Sequence, residues 1–365
     1  MIPVTTNPGE STPPKYSTFM KIPSIRFAFL ACAVLPALAL AQVTLPSKKV
    51  VFTSNLRLVE SDIDELRRAA PSLNLVFPSR DNLTKELADA DAVFGSLTRE
   101  QFLAAKKLKW MQITSAGVEN QLSVPEIKNS QVTITNMKIV QGVEIADHAF
   151  ALLLGLTRRI DIAVKDRETE RWRSLADYGP PLELQGKTAV IIGVGGIGMQ
   201  IAVRAKAFGM TVIGVDPKDI PYSPQLDRTV WPDRLDSVLP EADVVFISAP
   251  HTPQTDKMIG VAQFEKMKQG VLFIAVSRGK IYDNDALVAA LKNGRVAAAG
   301  LDVTETEPLP KGHALWKTGR VIITPHIAGR SDGEGARYFE LYKDNLIRFA
   351  RGETLRHTVD KQAGY

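Results

Sequence analysis

The stretch from Lys187 to Asp216 constrains the fold more than any other. Thr188 to Ile192 reads as a buried strand and runs directly into Gly193-Val-Gly195-Gly196-Ile197-Gly198. A helical pattern, Ile197 to Phe208, follows and stops at Gly209. A second strand, Thr211 to Val215, ends at Asp216, 18 positions after Gly198. A lone G-x-G-x-x-G string is a weak signal. Placed between a strand and a helix, with a carboxylate after the next strand, it is the fingerprint of a dinucleotide-binding βαβ unit. Gly193 permits the tight turn, Gly195 lets bare backbone approach a pyrophosphate, and Gly198 lets the helix close on the strand. The first helical turn, with Gly196 and Ile197, offers N–H groups to phosphates. Asp216 can accept hydrogen bonds from both ribose hydroxyls, which predicts NAD (NADH) rather than NADP. Pro217 stands where an arginine would welcome a 2′-phosphate, and only Lys218 tempers that preference.

With 365 residues the chain is too long for one compact core, and two domains are expected. Upstream of the fingerprint, Val50–Thr53, Leu73–Val76, Ala92–Phe94, Trp110–Thr114 and Val132–Thr135 read as strands. A helix over Asp62 to Ala70 and a longer one over Gly142 to Arg159 are also predicted. Strands separated by helical stretches argue for parallel α/β sheets in three layers. Downstream, four more strands are predicted, over 243–248, 271–276, 296–301 and 321–324. In doubly wound sheets ligands sit beyond the C-terminal ends of strands. That places Pro250 and His251, then Val276, Ser277 and Arg278, then Asp302 and Glu307, then His326 and Gly329, where a cofactor or substrate would lie.

These residue types suit carbonyl–alcohol redox chemistry. Hydride passes between a nicotinamide ring and a substrate carbon, while a proton passes to or from the oxygen. Histidine is the side-chain type suited to moving that proton, and His326 follows a strand end. Glu307 can fix its tautomer and favour its charged form. Arg278 can clamp a carboxylate with its planar fork. Any one of them alone reads more simply as a solvated, ion-paired or structural side chain.

Taken together, the motifs identify a resemblance. The chain from about residue 50 to 360 resembles the D-isomer-specific 2-hydroxyacid dehydrogenases, which include D-lactate, D-glycerate, hydroxypyruvate/glyoxylate and phosphoglycerate dehydrogenases. The resemblance rests on the fingerprint with Asp216, Ser277-Arg278-Gly279, Asp302-Val-x-x-x-Glu307-Pro308 and Pro325-His326-x-x-Gly329. Ser115-Ala116-Gly117-Val118-Glu119 and Glu144-Ile-Ala-Asp147-His148 add to it. Many members carry a glutamate where this sequence has Asp147. The resemblance implies that His326 is the acid/base, Glu307 its partner and Arg278 a substrate ligand. It implies that Ser115, Ala116 and Gly117 offer backbone N–H groups to a substrate carboxylate, and that Asp302 holds the nicotinamide carboxamide. It also implies a Rossmann cofactor domain (143–326) inserted into a smaller flavodoxin-like α/β substrate domain (47–142, with a return over 327–365). Two hinge crossings would then let the cleft close. A homodimer using the helix from Gly142 is a further implication, as is a small 2-oxo or 2-hydroxy acid as substrate. A rival reading is an NAD(H)-sensing regulator of the same fold, similar to the C-terminal-binding-protein corepressors.

Composition narrows the partners. A hydrophobic fraction of 45% and a charged fraction of 23% are ordinary for a globular chain and exclude a disordered or multi-span membrane protein. The net charge is only +5 and no run of five basic residues occurs, so nothing points to nucleic acid. The one cysteine, Cys32, excludes a disulfide framework and a thiolate-rich metal site, and no metal is expected. Residues 1–46 differ from the rest. Met20 to Arg26 is basic, Phe27 to Ala41 is apolar, and the run ends Ala39-Leu40-Ala41. This reads as a signal peptide over 20–41, cleaved before Gln42, with Met20 a natural initiator. An uncleaved anchor and a buried helix are the alternatives. Lys21 and Arg26 form no arginine pair, so twin-arginine export is not indicated. The expected location is therefore periplasmic or extracellular, with the cytoplasm as the alternative because nicotinamide cofactors reside there.

Overall fold

The computed structural model describes residues 47–53 and 58–365. The candidate export segment, 20–41, lies outside the described residues. Among the described residues twelve strands form two sheets, and every strand pair in them is parallel. The first sheet holds β1 (Lys48–Phe52), β2 (Leu73–Val76), β3 (Ala92–Phe94), β4 (Trp110–Gln112) and β5 (Thr133–Thr135) in the order β2-β1-β3-β4-β5. That is the flavodoxin-like order.

The second sheet runs β12-β11-β10-β9-β6-β7-β8. Its strands are β6 (Thr188–Ile192), β7 (Thr211–Val215), β8 (Arg228–Val230), β9 (Val244–Ile247), β10 (Val271–Ala275), β11 (Val296–Leu301) and β12 (Val321–Ile323). Counted from β6, this is the doubly wound order 3-2-1-4-5-6 with one strand added. The reversal between β6 and β9 is the switch point where a crevice opens. Strands buried on both faces have to be nearly continuous apolar runs, which is why β6, β9 and β10 were legible in the sequence. β8 was not anticipated, because this short edge strand is largely exposed and carries the polar run Arg-Thr-Val.

Two long helices tie the sheets together. The Gly142–Thr157 helix buries Ile145, Ala149, Leu152, Leu153 and Leu156 against Ile191, Phe246 and Ile274 of the second sheet. It ends two residues before the predicted Arg159, whose backbone turns left-handed (φ 63°) before a new helix, Ile160–Glu168. The Glu334–Arg351 helix returns to the first sheet. Its apolar stripe of Leu341, Tyr342, Leu346 and Phe349 packs on Val50, Phe52, Phe94 and Trp110. Arg337 of this helix donates to Glu144 Oε2 at 2.8 Å, linking the two helices. Among the described residues no helix is long and apolar enough to cross a membrane.

Candidate active site

The fingerprint turn has the geometry its glycines require. Gly193 sits at φ +92°, and a Cβ there would lie 2.4 Å from the Ala249 backbone nitrogen. A Cβ on Gly198 would come within 2.0 Å of the Gly193 carbonyl oxygen. At Gly195 a Cβ would meet nothing within 4 Å, so the face above this residue is open. The Gly196–Ala207 helix starts there, and the first N–H groups of a helix lack intrahelical acceptors.

A cavity of about 290 Å³ opens over this turn. Gly193, Gly195, Gly196, Ile197, Asp216, Pro250, Ser277 and Arg278 line it, and Ala116 and Gly117 meet them from the first sheet's side. The Asp216 carboxylate is held at the end of β7. Its Oδ2 accepts the Val194 N–H at 2.8 Å and its Oδ1 the Lys218 N–H at 2.9 Å. A carboxylate has about four acceptor positions, so roughly two remain. An open glycine face, a helix N-terminus and a free carboxylate edge in one cavity fit a dinucleotide.

Arg278 is held from both sides. Its Nε donates to Glu119 Oε1 at 3.0 Å, its Nη2 to Glu119 Oε2 at 3.4 Å and its Nη1 to the Ser277 carbonyl at 2.7 Å. A guanidinium has five N–H donors. Three are used, leaving one on each terminal nitrogen. Gly117 makes this possible, because a Cβ there would fall 1.8 Å from Nη2. Glu119 lies 159 positions from Arg278, so no local signal could reveal the pair.

A second cavity, about 530 Å³, contains Asp302, Glu307, Thr324 and His326, walled by Pro308, Leu309 and Trp316. His326 Nδ1 lies 2.7 Å from Glu307 Oε2, and Glu307 Oε1 accepts the Thr304 N–H at 3.1 Å. An ionised carboxylate only accepts, so Nδ1 carries the proton and Nε2 is the nitrogen left for other work. The His326 backbone is left-handed, at φ 54°.

Asp302 is what holds that backbone. Its side chain is buried; Oδ1 accepts from Thr324 Oγ1 (2.6 Å) and Ile327 N–H (3.0 Å), and Oδ2 from Ala328 N–H (2.9 Å). Thr324 in turn lies 2.8 Å from His148 Nε2. With the threonine proton committed to Asp302, Oγ1 accepts and His148 Nε2 donates. So Asp302, expected at the nicotinamide carboxamide, has its carboxylate turned to the loop that presents His326. Asp302→Ala would strand the Thr324 hydroxyl, the buried Ala328 N–H and the part-buried Ile327 N–H. A loss of at least roughly 3 kcal/mol of unfolding free energy is expected, since three groups are orphaned and each costs about 1–3 kcal/mol. Chemical denaturation measures this, and an unchanged midpoint contradicts it.

Several other candidates are engaged by neighbours within the chain. His251 Nε2 pairs with Asp256 Oδ1 at 2.8 Å, and the Val276 side chain is buried in the core. Ser115 Oγ donates to the Gly117 carbonyl at 2.7 Å. The Ala116 N–H donates to Gln141 Oε1 at 3.2 Å, and Gln141 Nε2 reaches the Gly329 carbonyl at 3.4 Å. Gln141, which no motif in the sequence marks, thus joins the 115–117 loop to the loop that follows His326. Arg278 and His326 follow β10 and β12, with β11 between them. Two strand spacings, roughly 10 Å, separate those strand ends, with Arg278 lining the first cavity and His326 the second.

Known proteins share this architecture. A family profile described as D-isomer specific 2-hydroxyacid dehydrogenase, NAD binding domain, matches residues 150–328. A glyoxylate reductase of Korarchaeum cryptofilum is 34% identical over 294 residues, covering 78% of this chain and 87% of the relative. The chain belongs to the D-isomer-specific 2-hydroxyacid dehydrogenase family. A D-3-phosphoglycerate dehydrogenase of Archaeoglobus fulgidus is also 34% identical, over 286 residues, covering 77% of this chain but 54% of that one. Among solved structures, a D-isomer specific 2-hydroxyacid dehydrogenase from Xanthobacter autotrophicus, in complex with NADPH and MES, superposes with a TM-score of 0.74 at 23% identity. That match covers 87% of this chain and 100% of the other, and shows the common fold. Membership makes this protein a pyridine-nucleotide oxidoreductase of 2-hydroxy acids.

Proposed function

We propose that the protein reduces a small 2-oxo acid to the D-2-hydroxy acid with NADH, and catalyses the reverse oxidation. The observation that carries this reading is the His326–Glu307 pair, with Glu307 following β11, as Asp302 does, and His326 following β12, two strands from β10 and its Arg278. Gly195, Gly196 and Ile197 would hold the pyrophosphate and Asp216 the adenosine ribose. When bound, the reduced nicotinamide supplies the hydride that adds to the carbonyl carbon. Arg278 directs its two unused N–H donors at the substrate carboxylate and carbonyl oxygen, and the 115–117 loop closes on the same carboxylate. His326 Nε2 delivers the proton to the carbonyl oxygen as that oxygen gains charge, and Glu307 stabilises the imidazolium before transfer. In the oxidation direction the same nitrogen accepts the hydroxyl proton. Closure of the cleft would exclude water from the transfer.

NADH is the favoured cofactor, because Asp216 repels a 2′-phosphate and accepts the 2′-hydroxyl. Lys218 and Lys138 line the same cavity, so the preference is expected to be moderate. Steady-state assays with each cofactor test it. Higher kcat/KM with NADH is expected, and equal efficiency with NADPH rejects the assignment.

The protein also fits a homodimer. The apolar face of the Gly142–Thr157 helix is largely consumed within the chain, yet Ile160, Val164 and Trp172 just beyond it are exposed. Exposed apolar side chains of this kind are what subunit interfaces cover. Light scattering should give the mass of two chains, and the mass of one rejects it. Export through the segment over 20–41 stays part of this reading. N-terminal sequencing of protein from fractionated cells should find Gln42, and an intact Met1 or Met20 on cytoplasmic protein rejects it.

A further inference from the structure

Beyond the Glu334–Arg351 helix the chain runs along the first sheet and then reaches across to the second. Thr358 bridges Thr135 in antiparallel fashion, and Val359 N–H donates to the Ile134 carbonyl at 2.8 Å. Lys361 Nζ donates to the Ser130 carbonyl at 2.8 Å, which fixes the segment at the edge of β5. Asp360 then closes a tight turn, its carboxylate accepting the N–H groups of Gln362 and Ala363, both at 2.9 Å. This turn delivers Tyr365 to the other side of the cleft. Its ring packs under Lys218 Nζ, 4.1 Å from the centroid, and forms a wall of the same cavity as Gly195 and Asp216. Burial and the nearby Asp216 and Asp360 carboxylates push the phenol pKa up, consistent with a ring held against that carboxylate end.

In a doubly wound domain the carboxylate after the second strand marks the adenosine ribose. Tyr365 therefore stands at the adenosine end, far along the dinucleotide from the reacting carbon. We infer that Tyr365 is a cofactor-affinity residue: its ring, anchored by the 358–364 segment to the first sheet, packs on the adenosine half of the bound nucleotide. This rests on the nucleotide reading given above. It adds that the binding surface is built from both sheets. A flat aromatic face supplies apolar contact to a nucleoside at little conformational cost.

The experiment is calorimetric titration of the full chain with ADP-ribose, which carries the adenosine half but no nicotinamide, alongside steady-state kinetics with NADH. For Tyr365→Ala the ADP-ribose Kd is expected to rise about ten-fold, the lower range for loss of an aromatic–base contact. The NADH KM should rise with it, while kcat at saturating NADH stays at the wild-type value. Tyr365→Phe keeps the ring and should bind within about two-fold of wild type. An unchanged or tighter Kd in Tyr365→Ala overturns the inference, and so does equal weakening in Tyr365→Phe. If the wild-type protein itself fails to bind ADP-ribose, the nucleotide reading falls instead, and the two failures are distinguishable.

Discussion

His326→Ala is expected to lower kcat for 2-oxo acid reduction by roughly 10²–10⁴-fold, the usual worth of a positioned acid/base. Glu307 Oε2 accepts the Nδ1–H hydrogen bond at 2.7 Å, so Nε2 is the nitrogen able to serve the substrate oxygen. Alanine removes that donor, and no other histidine shares its cavity. The dinucleotide cavity is lined by other residues, so NADH affinity should change little. The variant therefore separates chemistry from binding: a normal NADH titration with a collapsed turnover supports the assignment. Near-normal turnover removes His326 from the mechanism. Glu307→Gln should show a smaller loss, because the amide still contacts the ring but no longer stabilises its charged form.

Arg278→Lys is expected to reduce kcat/KM for 2-oxo acids by roughly 10²-fold, the scale of losing a charge-assisted hydrogen bond of about 3 kcal/mol. The substitution keeps the charge. What it loses is the planar fork that lets one side chain bind Glu119 through Nε and Nη2, bind the Ser277 carbonyl through Nη1, and still present two donors. An ammonium has three donors and no plane, so satisfying Glu119 and Ser277 leaves it at most one, unaimed. The loss should fall chiefly on the acid substrate, with a smaller rise in the NADH KM because Arg278 also lines the dinucleotide cavity. Unchanged kinetics with 2-oxo acids would place Arg278 outside the substrate site.

The sequence was most informative where one local run of residues carries the structural task. The parallel strands were legible because burial on both faces demands continuous apolar runs, as in β6 (Thr188–Ile192) and β11 (Val296–Leu301). The turn at Gly193 was legible because backbone at φ +92° favours glycine strongly. The His326–Glu307 pair was expected from two strand ends and a family resemblance, and the structure brings those side chains to 2.7 Å.

Other parts depended on loops meeting across the cleft, which leaves no periodic or local trace. Glu119 holds Arg278 from the opposite sheet, Gln141 ties two loops together, and Tyr365 reaches Lys218 over 147 positions (365 − 218). Asp302 shows the other limit. Its place after β11 was clear, but three donors from 324–328 turn its carboxylate toward the loop, and only the folded arrangement reveals that. His251 also follows a strand, and Asp256, five residues on, captures its ring.

The most direct test of the account is the consumption of NADH by the purified protein with 2-oxo acids of graded size, from glyoxylate and hydroxypyruvate to larger side chains. The chirality of the product should be determined in the same experiment. Saturable NADH oxidation with at least one of these acids, yielding the D-2-hydroxy acid where the product is chiral, is the expected result. Tight NADH binding without turnover of any 2-oxo acid would contradict it and leave a nucleotide-sensing role as the better description.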